Sequence, residues 1–126
     1  MSTVAPAVYV VDDDEDVRRA LARLIRSAGM DVRVFASGEE FLEAAPPPEH
    51  ACLVLDIRMH GMSGMDLHRE LIRRGPNIPV IYVTAHDSQE ARSEAHSIGA
   101  VGYFRKPVDG SALLDAIAWA VSGKEK

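Results

Sequence analysis

Short apolar runs alternate with segments of helical spacing five times along this chain, and that rhythm restricts the fold more than any other feature. The runs are Val8–Val11, Val32–Phe35, Cys52–Leu55, Val80–Val83 and Val101–Phe104. Most are rich in β-branched or aromatic residues, so each reads as a strand. Several are apolar at consecutive positions, which suits a parallel sheet covered on both faces. Between them, Val17, Leu21, Leu24, Ile25 and Ala28 keep helical spacing until Gly29 stops the pattern. Ser37 with Glu40 forms a capping-box signal, and Leu67, Leu71 and Ile72 mark a third helix. Asp87 with Glu90 predicts the cap of a fourth helix carrying Ala91, Ala95 and Ile98 before Gly99. Asp109 predicts the cap of a fifth, carrying Leu113, Ile117, Ala120 and Val121.

A (βα) unit repeated in this way, with right-handed crossovers, puts helices on both faces of an open parallel sheet. The 126 residues suit a single domain, with Pro46, Pro47 and Pro48 forming a rigid connection rather than a boundary. Lys plus Arg number 14 and Asp plus Glu 19, so the net charge is 14 − 19 = −5. Such a chain is a poor binder of phosphate backbones, and direct contact with nucleic acid is not expected. Cys52, the lone cysteine, excludes an intrachain disulfide and reads as a small core residue in a reducing cytosol. No apolar run approaches the roughly 18 residues of a membrane helix. The first eight residues lack the basic start and apolar core of a signal peptide. The expectation is a cytoplasmic protein without membrane contact.

In sheets of this kind ligands bind beyond the carboxyl ends of the strands. The first run ends in Asp12, Asp13, Asp14 and Glu15, the third in Asp56, the fourth in Thr84, and the fifth near Lys106 and Pro107. Two carboxylates about 4 Å apart repel by about 4 kcal/mol at an effective dielectric of 20. Three acids gathered with the one ammonium of Lys106 therefore call for a further cation. A hard divalent ion held by carboxylate oxygens and water balances them, and magnesium fits. Asp56 could then attack phosphorus to give an aspartyl phosphate. Lys106 and the metal would neutralise the equatorial oxygens, while the Thr84 hydroxyl donates to one of them.

The motifs VVDDDED (Val10 to Asp16), LVLDIRMHGMSG (Leu53 to Gly64), VIYVTAHD (Val80 to Asp87) and GYFRKP (Gly102 to Pro107) follow one another at four strand ends. Across nearly the whole chain this resembles a response-regulator receiver domain of a two-component system. The fold so implied is α/β, a flavodoxin-like doubly wound (βα)5 domain spanning 1–126 with a core of about 7–122. Its five-stranded parallel sheet would have the order 2-1-3-4-5. By resemblance, Asp12 and Asp13 are the acidic metal pair, Asp56 the phosphoacceptor and metal ligand, and the backbone carbonyl of Arg58 the remaining protein ligand. Thr84 matches the switch hydroxyl, Lys106 the phosphate-binding lysine, and Tyr103 the aromatic whose rotamer follows Thr84. The Lys106–Pro107 bond is expected to be cis. The MSG triplet, Thr84 to Asp87 and the third acid of the first loop resemble the nitrogen-fixation and LuxR-type branch.

His60 departs from the pattern, standing where the family usually has proline. It is read either as a tolerated loop residue or as a change that loosens the loop after Asp56. Asp14 or Glu15 is the expected cap of the first helix. Thr84 could also cap, and Lys106 could be a solvated surface lysine. Arg58 and His86 could flank the phosphoryl site or simply face solvent. Tyr103 could be a half-buried strand aromatic. Trp119 lies off the apolar stripe of the fifth helix, either on a partner-facing surface or packed flat on its own neighbour.

The resemblance implies a switch that takes a phosphoryl group from a sensor histidine kinase onto Asp56 with Mg2+, for which Mn2+ could substitute. Catalysis would be limited to its own phosphorylation and dephosphorylation. The surface of the fourth helix, fifth strand and fifth helix would change, serving an output domain, a docking protein or a homodimer, with transcription the expected output. Three rivals differ in their residues. A haloacid-dehalogenase-like phosphatase needs an acid at the position of Arg58. A flavodoxin-like electron carrier needs a phosphate cradle where Asp12 to Glu15 would repel one. A pseudo-receiver would lack reactive residues that are present here. No effector is read beyond the fifth helix, near Ser122 to Lys126, so either a docking receiver or a piece of a longer regulator is expected.

Overall fold

A computed structural model of the chain describes residues 6–75 and 77–122. Most of the start read for a signal peptide, and the last residues read beyond the fifth helix, lie outside that range. The elements run β1 (Ala7–Val11), α1 (Glu15–Ser27), β2 (Asp31–Phe35), α2 (Gly38–Ala44), β3 (Ala51–Leu55), α3 (Gly64–Arg74), β4 (Val80–Thr84), α4 (Gln89–Ile98), β5 (Gly102–Arg105) and α5 (Gly110–Ser122). All strand pairs are parallel and the order is β2-β1-β3-β4-β5, as expected.

The unbroken apolar strands have a simple cause. Side chains alternate across a strand, and both faces are covered. Tyr9, Val11, Leu53, Leu55, Val80 and Tyr82 pack with Phe41, Leu67, Leu71 and Ala95, on the side of α2, α3 and α4. Their neighbours Val8, Val10, Cys52, Val54, Ile81 and Val83 pack with Leu21, Ile25, Leu113, Ile117 and Val121, on the side of α1 and α5. Cys52 is fully buried, as expected of a core residue, and burial pushes its thiol up to about 12. Ile72 is an exception among the expected helix markers, being 55% exposed.

Caps set where the helices begin. Asp14 accepts from the backbone N–H groups of Asp16 and Val17. Ser37 accepts from Glu40, whose own carboxylate reaches back to the N–H of Ala36. The Asp109 carboxylate accepts from Ala112. The fourth helix differs from expectation. Its cap is Ser88, whose hydroxyl accepts from Ala91, because Asp87 is engaged elsewhere by Arg92 and Tyr103. The fifth strand also begins one residue late. Gly102 is its first ladder residue, opposite Ile81, and Val101 lies just before it, 43% exposed.

The register fixes the rim. Val11 pairs with both Phe35 and Leu55, and the ladder continues through Asp12 N–H to Phe35 and Asp56 N–H to Val11. Asp12 and Asp56 therefore leave neighbouring strands at one level. On the other side Lys106 N–H donates to the carbonyl of Thr84. Among the described residues, no helix is long and apolar enough to cross a membrane.

Candidate phosphoryl and metal site

Asp12 is 2% exposed, and both of its carboxylate oxygens are held. Its Oδ1 accepts from the N–H of Asp14 at 2.9 Å and its Oδ2 from Lys106 Nζ at 2.8 Å. Its carbonyl oxygen accepts from Arg18 on α1 at 2.8 Å, which ties the loop to the helix it precedes. Asp13 is more open. Its Oδ2 accepts from both the backbone N–H and the ring Nδ1 of His60, each at 3.0 Å. Slight burial presses its carboxyl upward, but the bonds from His60 outweigh this and hold its pKa below the usual value.

Asp56 sits between these groups, 6% exposed at the end of the central strand. Its Oδ1 accepts from the N–H of Ile57 at 2.8 Å, and its Oδ2 lies 3.5 Å from Lys106 Nζ. Burial, followed by the charge of Asp12, pushes its carboxyl up to about 6, although Lys106 pulls the other way. Burial likewise presses Lys106 downward, yet its bond to Asp12 and the charge of Asp56 outweigh this and raise its pKa. The ammonium therefore stays charged. Thr84 is completely buried, and its Oγ1 accepts from the N–H of His86 at 2.9 Å. The Lys106–Pro107 peptide is cis.

Oxygens of Asp12, Asp13 and Asp56 all lie within 4.8 Å of one another. Against them stands Lys106, bonded to Asp12 and close to Asp56. An oxygen-only donor set with excess negative charge is the environment a hard divalent ion selects. The residues thus fit such an ion. Arg58 borders, with Asp13, Met59 and His60, a surface concavity of about 210 Å³ beside them. Tyr103 does not join the cluster. Its hydroxyl donates to Asp87 Oδ1 at 3.1 Å.

Three contributors were not singled out for the site by the sequence. Arg18 has no signal beyond a helical arginine. His60 stands out as a substitution, but its tie to Asp13 becomes visible only in space. Gly64 carried a signal in the MSG triplet. Its N–H donates to the carbonyl of Ile57 at 2.8 Å, and a Cβ at this position would fall 2.0 Å from the carbonyl oxygen of Asp56. Only glycine allows α3 to begin so close to the acid.

A doubly wound domain with an acidic cluster, a lysine and a buried threonine at its carboxyl rim defines a class of protein. The profile of the response regulator receiver domain matches residues 8–118. The chain belongs to that family, the receiver domains of two-component response regulators, which are signalling switches. It is 40% identical over 119 residues to nodulation protein W of Bradyrhizobium diazoefficiens, covering 94% of this chain and 52% of that protein. Over 110 residues it is 40% identical to the transcriptional regulatory protein FixJ of Azorhizobium caulinodans, covering 87% of this chain and 52% of that one. These matches agree with the nitrogen-fixation and LuxR-type branch. The chain spans about half the length of the curated relatives it matches. Among solved structures, FixJ-N is 35% identical with a TM-score of 0.87, covering 98% of this chain and 99% of that one. The response regulator StyR is 43% identical with the same TM-score of 0.87, covering 94% and 60%.

Proposed function

We propose that Asp56 accepts a phosphoryl group from the phosphohistidine of a sensor histidine kinase. A carboxylate oxygen of Asp56 forms the new O–P bond while the N–P bond of the donor breaks, and the freed imidazole takes a proton from solvent. The observation that carries this reading is the position of Asp56: a buried carboxylate, held by Ile57 N–H, with Lys106 at 3.5 Å and two further acids beside it. Lys106 and the Thr84 hydroxyl are the groups that would meet the oxygens of the incoming phosphoryl. Asp12, Asp13, Asp56 and the carbonyl of Arg58 would hold Mg2+, or Mn2+ in its place. When bound, the ion supplies positive charge to a phosphoryl group whose oxygens would otherwise be repelled.

Because Thr84 Oγ1 is engaged by His86 N–H, turning toward a phosphoryl group alters the β4–α4 connection. That change would reach Tyr103 and the α4–β5–α5 face, through which an output domain, a docking protein or a second copy is engaged. The reading includes a cytoplasmic location, a single receiver domain, and transcription as the downstream output. Direct contact with nucleic acid is not part of it, in keeping with the net charge of −5. The test is incubation with phosphoramidate. Hydroxylamine-labile phosphate should appear only with Mg2+ or Mn2+ and vanish in Asp56→Asn, whereas equal hydroxylamine-labile labelling of that variant would refute the assignment.

A further inference from the structure

A second cluster lies beside the acidic rim and joins three elements. Asp87 comes from the β4–α4 connection, Arg92 from α4 and Tyr103 from β5. Asp87 Oδ2 accepts from Arg92 Nη2 at 2.6 Å, and its Oδ1 accepts from Tyr103 Oη at 3.1 Å. The guanidinium carbon of Arg92 also lies 5.7 Å from the centre of the Tyr103 ring, close enough for a cation–π contact. One arginine therefore touches both the ring and the carboxylate that holds its hydroxyl. Ser88 caps α4, so the Asp87 carboxylate is free of helix duty.

The position of Asp87 gives this cluster its meaning. It lies three residues beyond Thr84, and the intervening His86 donates its N–H to the Thr84 hydroxyl. Thr84, His86 and Asp87 thus form one short connection, with the buried hydroxyl at one end and Tyr103 at the other.

We propose that Asp87 and Arg92 form a latch that holds Tyr103 in its resting orientation and so sets the resting balance between two arrangements of the α4–β5 face. Both are positioning residues and neither touches the reacting atoms. What releases the latch rests on the reading of Asp56 as phosphoacceptor, but the latch itself does not. A two-state balance shifts only through interactions that differ between the states. The Asp87 side chain is 13% exposed and that of Arg92 61%, so the pair is half solvated and its loss should move the balance by roughly two- to fivefold.

The test is fluorine NMR on the full chain labelled with 3-fluorotyrosine, without phosphodonor or metal. The three tyrosines give three signals, and Tyr103→Phe identifies the one from Tyr103. Arg92→Ala and Asp87→Ala should each move the Tyr103 signal and change its water-to-deuterium-oxide isotope shift, leaving those of Tyr9 and Tyr82 in place. Arg92→Lys, which keeps the charge, should restore part of the difference. In a separate sample, beryllofluoride with Mg2+ should move the wild-type signal in the same direction. The rate of labelling by phosphoramidate should rise roughly two- to fivefold in Arg92→Ala. If the Tyr103 signal in both alanine variants coincides with the wild-type one, the latch is refuted, whatever the labelling shows. Absence of labelling with a moved Tyr103 signal would instead refute the phosphoacceptor reading and leave the latch standing.

Discussion

Asp56 is costly to ionise where it stands. Its proton is held up to about 6, by burial first and by Asp12 second, against an ordinary value near 3.9. The folded chain binds that proton more tightly than the unfolded chain does. The contribution of Asp56 to stability is therefore greatest below about pH 4 and falls as pH rises through 6. Asp56→Asn removes this penalty. In the presence of a chelator the variant should match the parent near pH 4 and exceed it by about 3 kcal/mol at pH 7, read by urea unfolding. A variant less stable at both pH values would contradict this electrostatic account. Gly64 gives the opposite case, since a methyl there meets backbone rather than a side chain that can swing away. Gly64→Ala should cost about 3 kcal/mol or more in the same assay. A loss below about 1 kcal/mol would show that the start of α3 yields.

At the scale of elements, chain pattern and structure agree where the physics is local. The three central strands were legible because both faces are buried, which leaves unbroken apolar runs, while the more exposed edge strands β2 and β5 were legible from their β-branched and aromatic residues. Asp14, Ser37 and Asp109 were legible as caps or candidate caps because each is a short polar residue of the capping type standing just ahead of a segment with helical spacing. The misreading at α4 has a clear cause. Asp87 and Ser88 are adjacent and both can cap, so the choice falls to tertiary partners, and Arg92 and Tyr103 take the carboxylate. Ser88→Ala should therefore destabilise the fold by about 1 kcal/mol through the helix start. Asp87→Ala should cost less in stability while changing the surroundings of Tyr103. Equal stability losses, measured by denaturant unfolding, would mean that both residues share the cap.

At the scale of the molecule, the partnership that matters most spans almost the whole chain. Asp12 and Lys106 are 94 residues apart and meet at 2.8 Å. Their convergence was legible because parallel topology sends every strand end to one rim. The ties of Arg18 and His60 were not, since they depend on side-chain reach across loops. Trp119 shows a further limit. The helical wheel put it off the core, and it is 60% exposed, but no pattern along the chain names what meets it. Metal should stabilise the whole fold. With free Mg2+ at a hundred times its dissociation constant the gain is about 2.7 kcal/mol. Asp12→Asn, Asp13→Asn and Asp56→Asn should each forfeit most of that gain in a thermal melt, and an undiminished gain would place the ion elsewhere.

The central claim concerns a single carboxyl oxygen, and chemical trapping reaches it directly. An aspartyl phosphate is reduced by borohydride to homoserine, which peptide mass mapping locates to the residue. After treatment with phosphoramidate and Mg2+, homoserine should appear at position 56 and nowhere else. Homoserine at Asp12 or Asp13, or none at all in a chain that has taken up phosphate, would contradict the account.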